Sequence, residues 1–256
     1  MPYFTYGGHR LFYRERGQGP LLVILHGNTA SSAGHLGELA YFGHRYHTVA
    51  PDLIGCGRSP RVDVWPDDWW LQNARAVVAL MDHLSVSQGI VMGTSGGGVT
   101  ALLAAQHAPD RVRAVIADSC VMYQPPDVLR AEVANRWRRE AGAVAFWQAM
   151  HGEDWEQVVK ADSDLLLRMA ERGGHFFERS LSEVRCPVLL TGSLRDSLLF
   201  NGAAQMVEMA AQIPKSQLVL VNGGDHPLMW SCPLAFRRVV DAFLAALDKQ
   251  GEDRDV

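Results

Sequence analysis

Ile90-Val91-Met92-Gly93-Thr94-Ser95-Gly96-Gly97-Gly98 is the stretch on which the fold turns. An apolar, β-type run ends in G-x-S-x-G, and the alanine-rich helical run Val99 to Gln106 follows at once. The context says more than the pattern, because a chain with 24 glycines can produce a bare G-x-S-x-G by chance. Between a buried strand and a buried helix, it describes a turn so sharp that the serine must hold strained backbone angles. Glycine at 93 and 97 removes Cβ atoms that would collide where strand and helix nearly touch. The turn lifts the Ser95 hydroxyl above the sheet edge and aims the Gly96 N–H at the same point. Neither a P-loop nor a dinucleotide-binding glycine fingerprint accompanies it, so a phosphate cradle is the weaker reading.

Upstream, the pattern predicts a hairpin of residues 3–6 and 11–16 turned at Gly7-Gly8, then the aliphatic run Leu21 to Leu25. A run without alternation suits a strand buried on both faces of a parallel sheet. A helix is expected over 32–42, a short strand over 48–50, and a helix starting near Asp67-Asp68. Downstream come a strand at 112–117 and then a change of character. Residues 121–182 hold no convincing strand, only helical runs with scattered aromatics. Strand patterns return at 187–192 and 218–221, a last amphipathic helix covers 233–247, and a charged tail from Asp248 is expected to fray. Alternating strands and helices imply an α/β chain with a mostly parallel, doubly covered sheet. The expected division is a core of residues 1–120 and 183–256 with a helical cap, or lid, inserted at 121–182.

Size and composition exclude several classes. A chain of 256 residues, 48% hydrophobic, buries one large core with room for an insertion. A formal net charge of −4 argues against a nucleic-acid surface. The basic run Arg136, Arg138 and Arg139 reads as a solvated helix face. Cys56, Cys120, Cys186 and Cys232 lack metal or redox spacing and read as reduced, mostly buried thiols. The N-terminus lacks the design of a secretion signal, and no apolar run is long enough to span a bilayer. The expectation is a cytoplasmic protein without nucleic-acid or membrane partners.

A serine hydroxyl is a poor nucleophile, so Ser95 needs a base, and the base needs an orienting acid. Both must lie in loops past strand C-termini, at the edge where Ser95 emerges. His226 in Gly224-Asp225-His226-Pro227 directly follows the last strand and is the candidate base. His26 sits where it would hold its own loop by hydrogen bonds, and His44 and His47 lack a third metal ligand. For the acid, Asp196 follows the strand ending at Gly192, and Asp118 is its rival. Asp225 adjoins the base, so its side chain points elsewhere. Acyl transfer also needs donors for the developing oxyanion. The Gly96 N–H supplies one, and the backbone N–H of Asn28, in the glycine-kinked His26-Gly27-Asn28, is assigned as the second.

These stretches, with Pro51-Asp52-Leu53-Ile54-Gly55-Cys56-Gly57-Arg58-Ser59, resemble the α/β-hydrolase superfamily over nearly the whole chain. Ser, Asp, His is that family's order. The resemblance implies an eight-stranded sheet and a lid between the sixth and seventh strands. Some relatives place the acid after the sixth strand, which keeps Asp118 open. Dehalogenases and epoxide hydrolases of this fold use an aspartate nucleophile, and Ser95 argues against both activities.

The leading expectation is a serine carboxylesterase acting on a small or medium ester, with no metal and no organic cofactor. Trp137, Phe146 and Trp147 of the lid, with Leu198, Leu228 and Trp230 near the base, are the candidates for lining the substrate pocket. The alternatives are carbon–carbon hydrolysis of a meta-cleavage diketone, where Trp230 resembles a tryptophan of such enzymes, and a ligand receptor with a slow triad. Cofactor-free perhydrolysis is a weaker third.

Overall fold

Five consecutive aliphatic residues, Leu21–Leu25, have no polar face to show to water, and the chain buries all of them as β3. The computed structural model, which describes residues 2–252, puts this strand inside an eight-stranded sheet. The others are β1 (Tyr3–Tyr6), β2 (His9–Arg16), β4 (His47–Pro51), β5 (Gly89–Thr94), β6 (Val112–Asp118), β7 (Val188–Ser193) and β8 (Ser216–Val221). Their order is β1-β2-β4-β3-β5-β6-β7-β8. Only β2 runs against its neighbours, pairing antiparallel with both β1 and β4. The expected mostly parallel α/β sheet is therefore observed. The hairpin strand starts at His9, closer to the Gly7-Gly8 turn than the sequence pattern suggested.

Period-two geometry sends β3 side chains to two cores. Leu21, Val23 and Leu25 meet α2 (Trp69–His83) and α3 (Gly96–His107), with Met209 of α7 (Gly202–Gln212) in the same cluster. Leu22 and Ile24 meet α1 (Leu36–Phe42), α8 (Leu228–Ser231) and α9 (Pro233–Glu252) through Phe42, Met229, Phe236 and Val240. Each such fully buried side chain contributes about 1.5–3 kcal/mol. The 12-residue α3, apolar almost all round, is buried along nearly its whole length, as such a helix must be. α9 stays helical past Leu247 to Glu252, where fraying was expected; Asp248 accepts from Tyr46 Oη at 3.2 Å. Residues 253–256 of that expected tail lie outside the described residues.

Between β6 and β7 the chain inserts α4 (Pro126–Arg136), α5 (Ala141–His151) and α6 (Trp155–Glu171). An antiparallel bridge between Tyr123 and His175, flanked by Gln124 N–H to Gly174 O and Phe176 N–H to Met122 O, draws the chain before α4 against the chain after α6. α6 buries Val158, Leu165, Leu166 and Met169 at helical spacing against Leu129 and Val133 of α4 and Trp70 of α2. Among the described residues, no helix is long and apolar enough to cross a membrane.

The site follows from the strand order. From β3 the chain goes outward to β4, then returns to β5 on β3's other side. This reversal opens a crevice beyond the C-terminal ends of β3 and β5, a topological switch point.

Candidate active site

Ser95 closes the β5–α3 turn with φ 55° and ψ −126°. This backbone region costs a residue with a Cβ about 1–3 kcal/mol, and the surroundings must impose it. Ser95 N–H donates to Asp118 O at 2.8 Å, and Ser95 O accepts from Gly98 N at 2.9 Å. A Cβ on Gly93 would run into Gly97 O, and one on Gly97 into the carbonyls of Leu25 and His26. Ser95 is half-buried and faces a cavity of about 230 Å³. Gly27 packs so close that a Cβ there would sit 2.9 Å from Ser95 Cβ.

His226, in the loop after β8, lines the same cavity. Its Nδ1–H donates to Asp196 Oδ2 at 2.8 Å, with the carboxylate side chain only 3% exposed. Asp196 Oδ1 accepts from the N–H groups of Leu198 (3.0 Å) and Leu199 (3.1 Å), which fixes the carboxylate in its turn. Asp225 points away and clamps the two loops, accepting from Ser197 N, Ser197 Oγ and His226 N, each at 2.8 Å. Those bonds, from Ser197 first, hold its carboxyl below the usual range. Among the described residues no hydrogen bond joins Ser95 Oγ to His226; such contacts tighten when substrate fills the space between them.

Asp118 makes no hydrogen bond to His226 among the described residues. It is fully buried and accepts from Thr94 Oγ1 (3.0 Å), Thr191 Oγ1 (2.8 Å) and Met229 N (3.0 Å), tying β5, β7 and α8 together. Burial pushes its carboxyl up to about 6 against the pull of those bonds. Asp118 thus sits as a clamp beneath the elbow.

Asn28 and Gly96 both line the cavity, and neither backbone N–H has a hydrogen-bond partner among the described residues. Asn28 Oδ1 packs on the Gly96 Cα, where any Cβ would collide with it. Two free donors next to a serine hydroxyl can bind an oxyanion.

Of the six residues expected to line the pocket, Phe146, Leu198 and Trp230 do so. The Phe146 and Trp230 rings pack on each other at its edge, tilted by 59° with 6.0 Å between centroids. The other three need correction. Trp137, past the end of α4, is 49% exposed. Trp147 turns to the far side of α5 and stacks on Trp155 at 5.3 Å. Leu228 is buried in the α9-side core. An aromatic at helical spacing reveals a buried face but not what covers it.

Arg136 is the larger correction. Only 9% exposed, it lines the cavity and is ion-paired to Asp162 of α6 and, at 2.6 Å, to Glu132. Burial pulls the guanidinium's pKa down, but the two carboxylates carry it above its ordinary value. Arg138 and Arg139 are exposed. The missed signal was Asp162, which shares the apolar face of α6 with Val158 and Leu165. An aspartate on a buried stripe requires a partner.

Three histidines are buried beside this loop. His26 Nδ1 meets Gly27 O (2.8 Å), and Nε2 accepts from Leu53 N (3.0 Å). His151 Nδ1 accepts from Gly57 N (3.0 Å), so its Nε2–H donates to Thr29 O (3.0 Å). His35, beside Trp230, has no partner for either nitrogen among the described residues. Burial drives His35 from 6.5 down to about 3 and His151 to about 4. Between those values and 6.5 the unfolded chain binds protons that the folded chain refuses, so stability falls as pH drops through that window. Asp118 acts oppositely: its raised pKa adds stability below 3.8 that is lost as pH rises through about 6. His35→Leu is expected to flatten the acid limb by about 1.4 kcal/mol per pH unit between pH 4 and 6, read from urea unfolding. An unchanged slope would mean that His35 also protonates in the folded chain. His47 Nε2 meets Glu15 (2.8 Å), and among the described residues no cluster of three or more His, Cys, Asp or Glu could hold a metal.

Residues 20–149 match the sequence profile of the alpha/beta hydrolase fold. A 2-hydroxy-6-oxo-6-phenylhexa-2,4-dienoate hydrolase of Burkholderia cepacia is 33% identical over 266 residues, covering 92% of this chain and 91% of its own. A putative carbamate hydrolase, RutD, of Pseudomonas syringae pv. syringae (strain B728a) is 27% identical, covering 93% and 98%. The crystal structure of the enol-lactonase from Burkholderia xenovorans LB400 superposes with a TM-score of 0.76 at 19% identity, covering 95% of this chain and 100% of that one. That last likeness speaks for the fold alone.

Proposed function

We propose that this chain, which belongs to the alpha/beta hydrolase fold family, is a serine carboxylesterase for small to medium uncharged esters, working in the cytoplasm without a cofactor. The observation that carries the reading is Ser95 on its strained turn, in one cavity with a His226 whose Nδ1–H is held by Asp196. His226 Nε2 takes the Ser95 proton as Oγ attacks the ester carbonyl. The oxygen's charge settles between the Gly96 and Asn28 N–H groups, and Asp196 stabilises the imidazolium. The alcohol leaves with that proton, and water activated by the same histidine releases the acid. The helices within 121–182 act as a cap, supplying Leu129, Phe146 and Leu166 to the acyl side of the cavity.

Charge supports an uncharged substrate. Arg136 is the one arginine or lysine among the described residues that line the cavity, and Glu132 and Asp162 already claim it. A carboxylate entering here would meet a net negative cluster and lose its own hydration. A second reading, carbon–carbon hydrolysis, is favoured by the 33% identity to the dienoate hydrolase. The two are separated by kcat/KM on one preparation. The butyrate p-nitrophenyl ester is expected to exceed the phenyl-substituted dienoate by about 10²-fold or more. Preference for the dienoate would replace the esterase reading. Absence of turnover with thermal stabilisation by a small ligand would point to a receptor.

Phe146 faces the acyl side, so Phe146→Ala should raise the octanoate-to-butyrate ratio of kcat/KM by about tenfold. Trp147→Ala should lower Tm and leave that ratio alone. The reverse pattern would make Phe146 a packing residue.

A further inference from the structure

The loop carrying Asn28 is fastened mostly by the cap. Asn28 Nδ2 donates to Asp162 Oδ1 at 2.6 Å, Thr29 O accepts from His151, and Ser31 Oγ donates to Met150 O at 2.9 Å. Ala30 N–H donates to Gly27 O at 3.3 Å and closes a turn around Asn28 and Thr29, and the left-handed φ of 54° at Thr29 is a strained conformation that the surroundings must impose. The side chain of Asn28 is held at both ends, with Oδ1 accepting from Trp70 Nε1 at 3.4 Å and packed on Gly96. Asp162, 0% exposed, is in turn held by Arg136. A buried, charge-assisted chain therefore runs from α4 through α6 to the residue that would bind the oxyanion.

We propose that Asp162, oriented by Arg136, is a positioning residue that sets the Asn28 N–H for the oxyanion, so that the second donor is in place only when the cap is docked. This rests on the serine hydrolase reading of the site. Three features support it. The carboxylate grips the Asn28 side chain, while the proposed donor is the backbone N–H of the same residue. The Asn28 amide lies against Gly96, so the grip also fixes the spacing of the two donors. Finally, an ion pair this buried stabilises a fold little better than apolar side chains of the same size, which leaves room for a role in orientation.

The test uses two variants in the full chain. Asn28→Ala keeps the backbone N–H and cuts the chain at its core end. The double variant Arg136→Met/Asp162→Leu removes the pair without stranding a charge. Leu165→Ala, in the buried face of α6 but not lining the cavity, is the control for loosened packing. Each test variant should lose about 10- to 100-fold in kcat, part of what one oxyanion donor is worth, while KM moves less than about threefold. The Ki of a trifluoromethyl ketone, which forms the tetrahedral oxyanion, should rise in step, and the rate of Ser95 phosphonylation should fall in step. Leu165→Ala should lower Tm and leave all three unchanged. Lost Tm with kcat, Ki and phosphonylation intact in both variants would overturn the positioning role, as would a loss confined to KM. A wild-type chain that phosphonate does not label at Ser95 would overturn the serine hydrolase reading, and this proposal with it.

Discussion

Ser95→Ala is expected to lower kcat/KM for p-nitrophenyl butyrate by about 10⁴- to 10⁶-fold. The residual rate would come from the Gly96 and Asn28 donors and from the cavity itself, which still bind a carbonyl without attacking it. The substitution removes one oxygen that makes no hydrogen bond to the protein among the described residues. The elbow should survive, because it is held by the Ser95 N–H to Asp118 and by the glycines at 93 and 97. Tm should stay within a few degrees. Turnover that persists in this variant would place the nucleophile elsewhere.

The second large effect concerns the two buried aspartates. Asp196→Asn should cut kcat by about 10⁴-fold, because an amide can hold the imidazole in the wrong tautomer and cannot stabilise its charged form. Asp118→Asn should cost less than about tenfold in kcat and should instead lower Tm. Its oxygens accept from Thr94, Thr191 and Met229, and an amide has only one oxygen for those three donors. kcat and Tm measured side by side decide the matter. Reversed severities would make Asp118 the acid.

Much of this was legible because chain order in a parallel sheet fixes which edge a loop reaches. Asp196 and His226 could be chosen, from residues far apart in sequence, because each follows a strand whose C-terminal end must lie beside that of β5. The structure brings them to 2.8 Å. β3 and the elbow were legible for a different reason: five aliphatics in a row and a glycine on each side of a serine leave few local conformations. Packing partners were not legible. Trp147 and Phe146 are adjacent on α5, yet one faces Trp155 and the other the cavity, a choice made by helices distant in sequence. Leu228 follows the base closely but turns under α9. The Arg136–Asp162 pair was hidden because its members lie 26 residues apart on different helices. The neighbouring Arg138 and Arg139 made the run look solvated.

The nucleophile itself is reached most directly by treating the wild-type chain with an organophosphonate bearing a chromogenic leaving group, then mapping the adduct by peptide mass spectrometry. One equivalent of leaving group, loss of esterase activity in proportion, and an adduct confined to the peptide bearing Ser95 are expected. An adduct on any other residue, or full ester turnover by protein whose Ser95 is quantitatively phosphonylated, would contradict the Ser95 acyl-enzyme on which the account depends.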